Sequence, residues 1–129
     1  MPFSSHPRLL GSALLLAWAL LCAGCANRPS EPAASQSVDT SSGRARFIGP
    51  IDWDSVHRLQ SLMKGKSIRI LEVDSRGGNT EAAIALGYWI HQQKINLEVN
   101  RLCLGSCANY WFTAAHKKLI QPGAIVAWQ

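Results

Sequence analysis

Downstream of residue 45 the spacing of apolar positions alternates between two periods. Arg46-Phe47-Ile48-Gly49-Pro50-Ile51 reads as a short strand, its Gly and Pro marking an edge or a bulge. Val56, Leu59, Leu62 and Met63 then recur at helical spacing, with Asp52 or Asp54 as cap and Gly65 where the helix stops. Ile68 to Val73 returns to strand character and runs into a turn-rich loop, Asp74-Ser75-Arg76-Gly77-Gly78-Asn79-Thr80. Thr80 to Gln93 predicts a second helix, with Ala83, Ile84, Leu86, Gly87 and Ile90 along one side and Asn79 or Thr80 as its cap. Ile95 to Leu102 alternates apolar and polar residues, as a half-exposed strand does. After the turn Cys103-Leu104-Gly105-Ser106, the run Cys107 to Ala115 is apolar enough for a buried helix, with Tyr110, Trp111 and Phe112 packing under the sheet. Leu119-Ile120 and Ala124 to Trp128 are two short strands around Pro122-Gly123.

Strands alternating with helices predict an α/β fold of β-α-β units with parallel pairing and right-handed crossovers. Ligands in such sheets sit at the carboxyl ends of the strands. Two loops fall there, Arg76-Gly77-Gly78 and Gly105-Ser106-Cys107. The expected folded domain is residues 46–129, small for an independent core.

The chain before it has a different pattern. Leu9 to Leu21 is an apolar run behind Arg8, too short to span a bilayer comfortably. Residues 1–24 therefore read as a signal peptide for export, placing the protein in the periplasm. Leu21-Cys22-Ala23-Gly24-Cys25 resembles a bacterial lipoprotein signal, in which the thiol of the Cys carries a lipid. Cys25 would then tether the protein to the membrane, although Cys22 stands where that motif usually has Leu. A plain signal peptide cut near Cys25, or an uncleaved anchor, fits the same residues. Residues 25–45 are rich in Ser, Pro, Ala and Thr, and read as a flexible stalk.

Composition narrows the classes. A chain of 129 residues with 47% apolar content excludes a multidomain enzyme, a disordered protein and a collagen-like repeat. The net charge of +5 is scattered, with no basic stripe, which argues against nucleic acid as a partner.

A Ser directly after a strand and at the start of a helix suits a nucleophile, because the first amides of the helix point at the same space. A tetrahedral oxyanion needs two donors. The Cys107 amide can be one, and the Gly77 or Gly78 amide the other. Each loop alone has a plainer reading: Gly-Ser at a helix start is a common cap, and Gly-Gly a common turn.

Together the motifs of residues 47–129 resemble the Clp-protease/crotonase superfamily, and within it the periplasmic Clp-protease-like members. Gly49-Pro50-Ile51 resembles the entry strand of that family. Asp74-Ser75-Arg76-Gly77-Gly78 resembles its oxyanion loop, with Arg76 where the family has Pro. Cys103-Leu104-Gly105-Ser106-Cys107-Ala108 resembles its nucleophile turn. Ala114-Ala115 and Pro122-Gly123-Ala124 resemble the segment leading to the catalytic His. The resemblance implies repeated β-α-β units, incomplete at the C-terminus, and a serine hydrolase or peptidase activity without cofactor. Ser106 would be the nucleophile, with Gly77 and Cys107 as oxyanion amides. A peptide or acyl compound would be the substrate, and a homo-oligomer is possible within the family.

Gln129 stands at the position of the family's general-base His, and the family's Asp falls beyond the chain. An amide cannot accept a proton at neutral pH. His116 lies ten residues after Ser106, roughly 15 Å along a helix. Lys117 and Lys118 share that distance, and His57 and His91 lie on other helices and are expected to face solvent. The alternatives are therefore a non-catalytic exported lipoprotein that uses the same pocket for binding, or a truncated relic.

Cys103 and Cys107 flank Ser106. In an oxidising compartment they are expected to pair, clamping the turn. Two cysteines are too few for a metal site, so none is expected.

Overall fold

The computed structural model describes residues 33–129. The signal segment, Cys25 and the first part of the expected stalk lie outside these residues. The fold is mixed α/β with a six-stranded sheet. In chain order the elements are β1 (Ser35–Asp39), β2 (Arg44–Ile48), α1 (Trp53–Met63), β3 (Ile70–Ser75), α2 (Thr80–Gln92), β4 (Asn96–Leu104), a π-helix (Cys107–Phe112), β5 (Lys118–Ile120) and β6 (Ile125–Ala127). The sheet order is β1-β2-β3-β4-β5, and β6 also pairs with β4. Only β1 runs antiparallel to its neighbour.

The expected stalk departs most from the sequence reading, since its last residues, Arg44 and Ala45, already belong to β2. Ser35–Asp39 was expected to be stalk, but it forms β1, paired with β2 in a register from Ser35↔Ile48 to Asp39↔Arg44. A tight turn makes the pairing possible. The Asp39 carboxylate accepts hydrogen bonds from the Ser41 amide, the Ser41 hydroxyl and the Ser42 hydroxyl, and Gly43 supplies the positive φ of 65°. Beyond its pairing with β2, β1 packs Val38 against the core and accepts a bond from the Arg58 guanidinium through the Gln36 side chain.

The helices form where their caps allow. Asp52 begins α1 with a reciprocal capping box: its carboxylate accepts the Ser55 amide at 2.7 Å, while the Ser55 hydroxyl accepts the Asp52 amide at 3.0 Å. Asn79 caps α2 through the Ala82 amide. Val56, Leu59 and Met63 of α1, with Ala82, Ala83, Leu86 and Ile90 of α2, bury against Ala45, Phe47, Leu71, Val73, Leu97 and Val99 of the sheet. Leu62 and Ile84, expected on those buried sides, are 38% and 46% exposed. Each sits at the margin of its helix's apolar stripe.

Trp111 is fully buried at the centre of this core. Its ring meets Phe47 edge-on, and its indole N–H donates to the Ala83 carbonyl at 2.9 Å. That bond satisfies the one polar atom of the indole inside an apolar core. Gly87 allows α2 to approach closely, since a Cβ there would stand 2.7 Å from the Tyr110 carbonyl oxygen.

Even-numbered residues of the same strands point the other way. Arg44, Arg46, Glu72 and Glu98 line the face opposite the helices, joined by ion pairs of 2.6 to 2.9 Å.

Candidate active site

The site begins with a register change. β3 and β4 pair regularly from Ile70↔Asn96 to Val73↔Val99, and the next pair is Ser75↔Cys103. Two residues of β3 are thus matched by four of β4. The irregularity carries β4 forward and delivers the turn after it to the loop after β3. Bulges of this kind re-aim side chains at sheet ends.

The first loop is held from below by the chain that follows β2. The Gly49 amide donates to the Asp74 carbonyl, the Ile51 amide to the Gly77 carbonyl, and the Asn79 amide to the Ile51 carbonyl, at 2.7 to 2.9 Å. Gly78 has to be glycine here: its φ is +150°, and a Cβ would lie 2.2 Å from the Ile51 carbonyl oxygen. Gly77, at φ +89°, lies equally close to the second loop. A Cβ on it would stand 2.6 Å from the Leu104 carbonyl oxygen and 3.1 Å from the Ser106 hydroxyl.

The second loop is held from the other side. Gly105 turns the chain with a φ of +53°, and its amide donates to the Ala127 carbonyl at 2.9 Å. Cys103 and Cys107 form a disulfide with a Cα–Cα distance of 5.2 Å. Both cysteines are fully buried, so the bridge ties the end of β4 to the opening of the π-helix beneath Ser106. The expected helix over Cys107 to Ala115 is π-helical from Cys107 to Phe112. Such widened turns frequently accompany functional sites.

Ser106 is 7% exposed. The Gly78 amide donates to its hydroxyl oxygen at 2.9 Å. The Gly77 amide is engaged elsewhere, donating to the Ser75 hydroxyl at 3.1 Å. The structure thus brings Ser106, Gly77, Gly78 and Cys107 together, and aims the amide of Gly78 rather than that of Gly77 at the serine. Cys107 opens the helical turn, where the first amides have no intrahelical acceptor.

Gln129 reaches the same place. The Asn109 side-chain amide donates to the Gln129 carbonyl at 3.2 Å, and the Gln129 Oε1 lies 3.6 Å from the Cβ position of Gly105. The histidines lie away from it. The His116 amide bonds to the Ile95 carbonyl at the start of β4, whereas Ser106 follows its end. The length of β4 and the helical turn from Cys107 to Phe112 lie between the two. Lys117 and Lys118 stand beside Leu97, at that same far end. His57 and His91 are solvent-exposed on α1 and α2.

Sequence patterning passed over the charged ladder. Arg44 bonds both Glu72 and Glu98, Arg46 bonds Glu72, and Gln121 bonds Glu98. Burial works to raise the Glu72 carboxyl, but its bonds to Arg44 and Arg46 and their charges outweigh that and hold it below its ordinary value. The available signal was an acid at the same place in two successive strands, β3 and β4, and a pair of arginines in β2 before them. Among the described residues no three or more His, Cys, Asp or Glu gather as a metal site, and no helix is long and apolar enough to cross a membrane.

At the carboxyl ends of the parallel strands β3 and β4, then, a buried serine hydroxyl faces a glycine amide, with a helical turn opening beside it. Such an arrangement can accept an acyl group or hold a carbonyl oxygen. In comparisons with known proteins, no family model and no curated protein matches this chain.

Proposed function

We propose that this is an exported serine hydrolase or peptidase of the Clp-protease/crotonase type, tethered through Cys25, with Ser106 as nucleophile. The observation that carries the reading is the 2.9 Å bond from the Gly78 amide to the Ser106 hydroxyl, at the meeting of two loops after parallel strands. A donor in that position stabilises negative charge on the serine oxygen or on a carbonyl oxygen seated beside it.

In the reaction the Ser106 oxygen bonds to a carbonyl carbon, and the π electrons move onto the carbonyl oxygen. The amides of Gly78 and Cys107 hold that oxyanion. Its collapse breaks the bond to the leaving alcohol or amine, which departs with a proton. Water then releases the acyl group as a carboxylic acid. The serine proton passes to solvent water, since the described histidines stand away from Ser106.

A second reading is favoured by Gln129 beside the turn: the pocket binds peptides or acyl carbonyls without turning them over. The side-chain amide of Gln129 can donate to a bound carbonyl but cannot accept the proton of Ser106.

The test is labelling of the full chain by an alkyl fluorophosphonate. The serine oxygen bonds to phosphorus, fluoride leaves, and the proton passes to solvent. An adduct on Ser106 that vanishes in Ser106→Ala supports the hydrolase. A folded chain that resists labelling, yet shifts its Gly78 and Cys107 amide resonances with an acylated peptide, supports the binding module.

A further inference from the structure

We propose that the end of the sheet opposite Ser106 is a docking face for an anionic phospholipid surface. The cations are scattered along the sequence, but the topology gathers six of them. Lys64, Lys66, Arg69, Lys94 and Lys117 lie in the connections that lead into β3, β4 and β5, and Lys118 opens β5. They include every lysine of the chain. Main-chain bonds set these connections side by side. The Arg69 amide donates to the Gly43 carbonyl, the Asn96 amide to the Arg69 carbonyl, and the Leu97 amide to the Lys117 carbonyl. Neighbouring strands lie about 4.8 Å apart, so the cations form one surface rather than separate points.

That surface is uncompensated. All six residues are exposed, and none makes an ion pair among the described residues. Asp39 is at this end, but its carboxylate accepts from Ser41 and Ser42. Glu98, a little way into β4, is bonded by Arg44 and Gln121. Asp52, Asp54, Asp74 and Glu81 lie toward the other end, at the starts of α1 and α2 and near the end of β3. A helix C-terminus favours a nearby cation, which accounts for Lys64 and Lys94. It does not account for Arg69, Lys117 and Lys118, which stand at strand starts.

Apolar neighbours favour lipid over an acidic protein or a nucleic acid. Leu119 and Ile120, directly after the two lysines of β5, are 54% and 47% exposed. At the end of α1, Lys64 and Lys66 border a cavity of about 570 Å³ together with Trp89. Cations around exposed apolar side chains match a headgroup layer, where phosphates meet the ammonium groups and the apolar groups sink toward the acyl chains. The tether through Cys25, which rests on the reading above, is long enough as well. It enters at Ser35, level with Ile48 at the Ser106 end of the sheet. Ten extended residues from Cys25 to Ser35 reach about 35 Å, against about 14 Å along β1 to the basic end. The basic end then lies on the membrane, and Ser106 faces away from it, toward substrates in solution.

The test is a lysine footprint of the full chain. Vesicles of phosphatidylcholine alone, or of phosphatidylcholine and phosphatidylglycerol in equal parts, are added before acetic anhydride, and acetylation of each lysine is read by peptide mass spectrometry. Phosphatidylglycerol is expected to slow acetylation of all five lysines about fivefold relative to phosphatidylcholine. About 1 M salt should abolish the difference. With Lys66→Glu, Lys94→Glu and Lys117→Glu combined, Lys64 and Lys118 should react equally fast on both vesicles. The proposal is overturned if wild-type lysines react equally on both, or if the protection survives the triple substitution. Protection by an oligonucleotide or an acidic peptide where phosphatidylglycerol gives none also overturns it, and assigns the face to that polymer. Sedimentation with phosphatidylcholine alone reports the tether separately, so a failed anchor at Cys25 is distinguished from a failed basic face.

Discussion

At the carboxyl ends of β3 and β4 the structure is held by backbone. Gly77 and Gly78 bring main chain against main chain, and the atom that matters is an amide nitrogen 2.9 Å from the Ser106 oxygen. On the helix-free face of the same strands it is held by long side chains, with Arg44 and Arg46 reaching across to Glu72 and Glu98. The first region leaves no room for a methyl group, and no charged side chain takes part in the contact between Gly78 and Ser106. The second tolerates rearrangement, because an arginine can swing, but depends on protonation. Precision and adaptability are therefore separated within one sheet, and substitutions should act differently on the two sides.

The largest effect is expected at Gly78. A methyl group there must fit where the Ile51 carbonyl oxygen lies 2.2 Å away, at a φ that alanine avoids. Gly78→Ala should cost about 3 kcal/mol of stability, combining backbone strain with overpacking. It should also abolish labelling of Ser106. Chemical denaturation and probe labelling measure the two effects. A Gly78→Ala chain as stable as wild type would mean that this region is as adaptable as the charged face.

Next comes the disulfide. Replacing Cys103 and Cys107 together by Ala removes a short covalent loop, and about 2 kcal/mol of stability is expected to go with it. Labelling of Ser106 should slow even at temperatures where the variant is fully folded, because the helical turn carrying the Cys107 amide loses its tie to β4. Undiminished labelling would show that Gly105 and its bond to Ala127 hold the turn alone.

How much of this was legible follows the same division. The Gly-Gly and Gly-Ser loops announced themselves, since glycine and small polar residues between apolar runs have few other uses. The parallel arrangement followed from alternating periods, and the pairing of Cys103 with Cys107 from their spacing in one turn. Which amide faces Ser106 was not legible. That depends on the rotation of a single peptide plane, whose Gly77 carbonyl is held by the Ile51 amide from a distant segment. The charged ladder was hidden for another reason: Arg44, Glu72 and Glu98 lie 26 or more positions apart, and only register joins them. β1 was missed because Ser35-Gln36-Ser37-Val38-Asp39 lacks the apolar alternation of a strand, although Asp39 to Gly43 carries a turn signature.

On the charged face a smaller effect is expected. Glu72→Gln keeps the shape and removes the charge that both arginines share. With Arg44 and Arg46 partly solvated, the loss should be about 1 kcal/mol at neutral pH. Its pH dependence carries the sign. The folded Glu72 carboxyl lies below its ordinary value, so its stabilisation is present above the ordinary glutamate range and is lost as pH falls through the lowered value. Wild type and Glu72→Gln should therefore converge in stability in acid. Gly78→Ala removes no titrating group, so wild type and Gly78→Ala should show no such convergence.

The smallest effect is at the turn that feeds the ladder. Asp39 pairs with Arg44 across β1 and β2, and its carboxylate accepts three bonds from Ser41 and Ser42. The Ser41 hydroxyl, the Ser42 hydroxyl and the Ser41 amide lower its pKa to about 2. Titration followed by carboxyl-carbon NMR should find that value in wild type, and a rise toward the ordinary aspartate range in the Ser41→Ala, Ser42→Ala double variant. The contribution of Asp39 is present above its ordinary value and fades as pH falls through about 2, below the range in which most carboxylates titrate. The turn should thus outlast the ladder in acid: β1 stays paired while the Glu72 bonds release. Amide exchange along β2 can read this order, since Arg44 and Ile48 pair with β1 on one side and with β3 on the other. If β1 opens first, the turn is following the ladder, and the segment Ser35–Asp39 is held from the sheet rather than from its own serines.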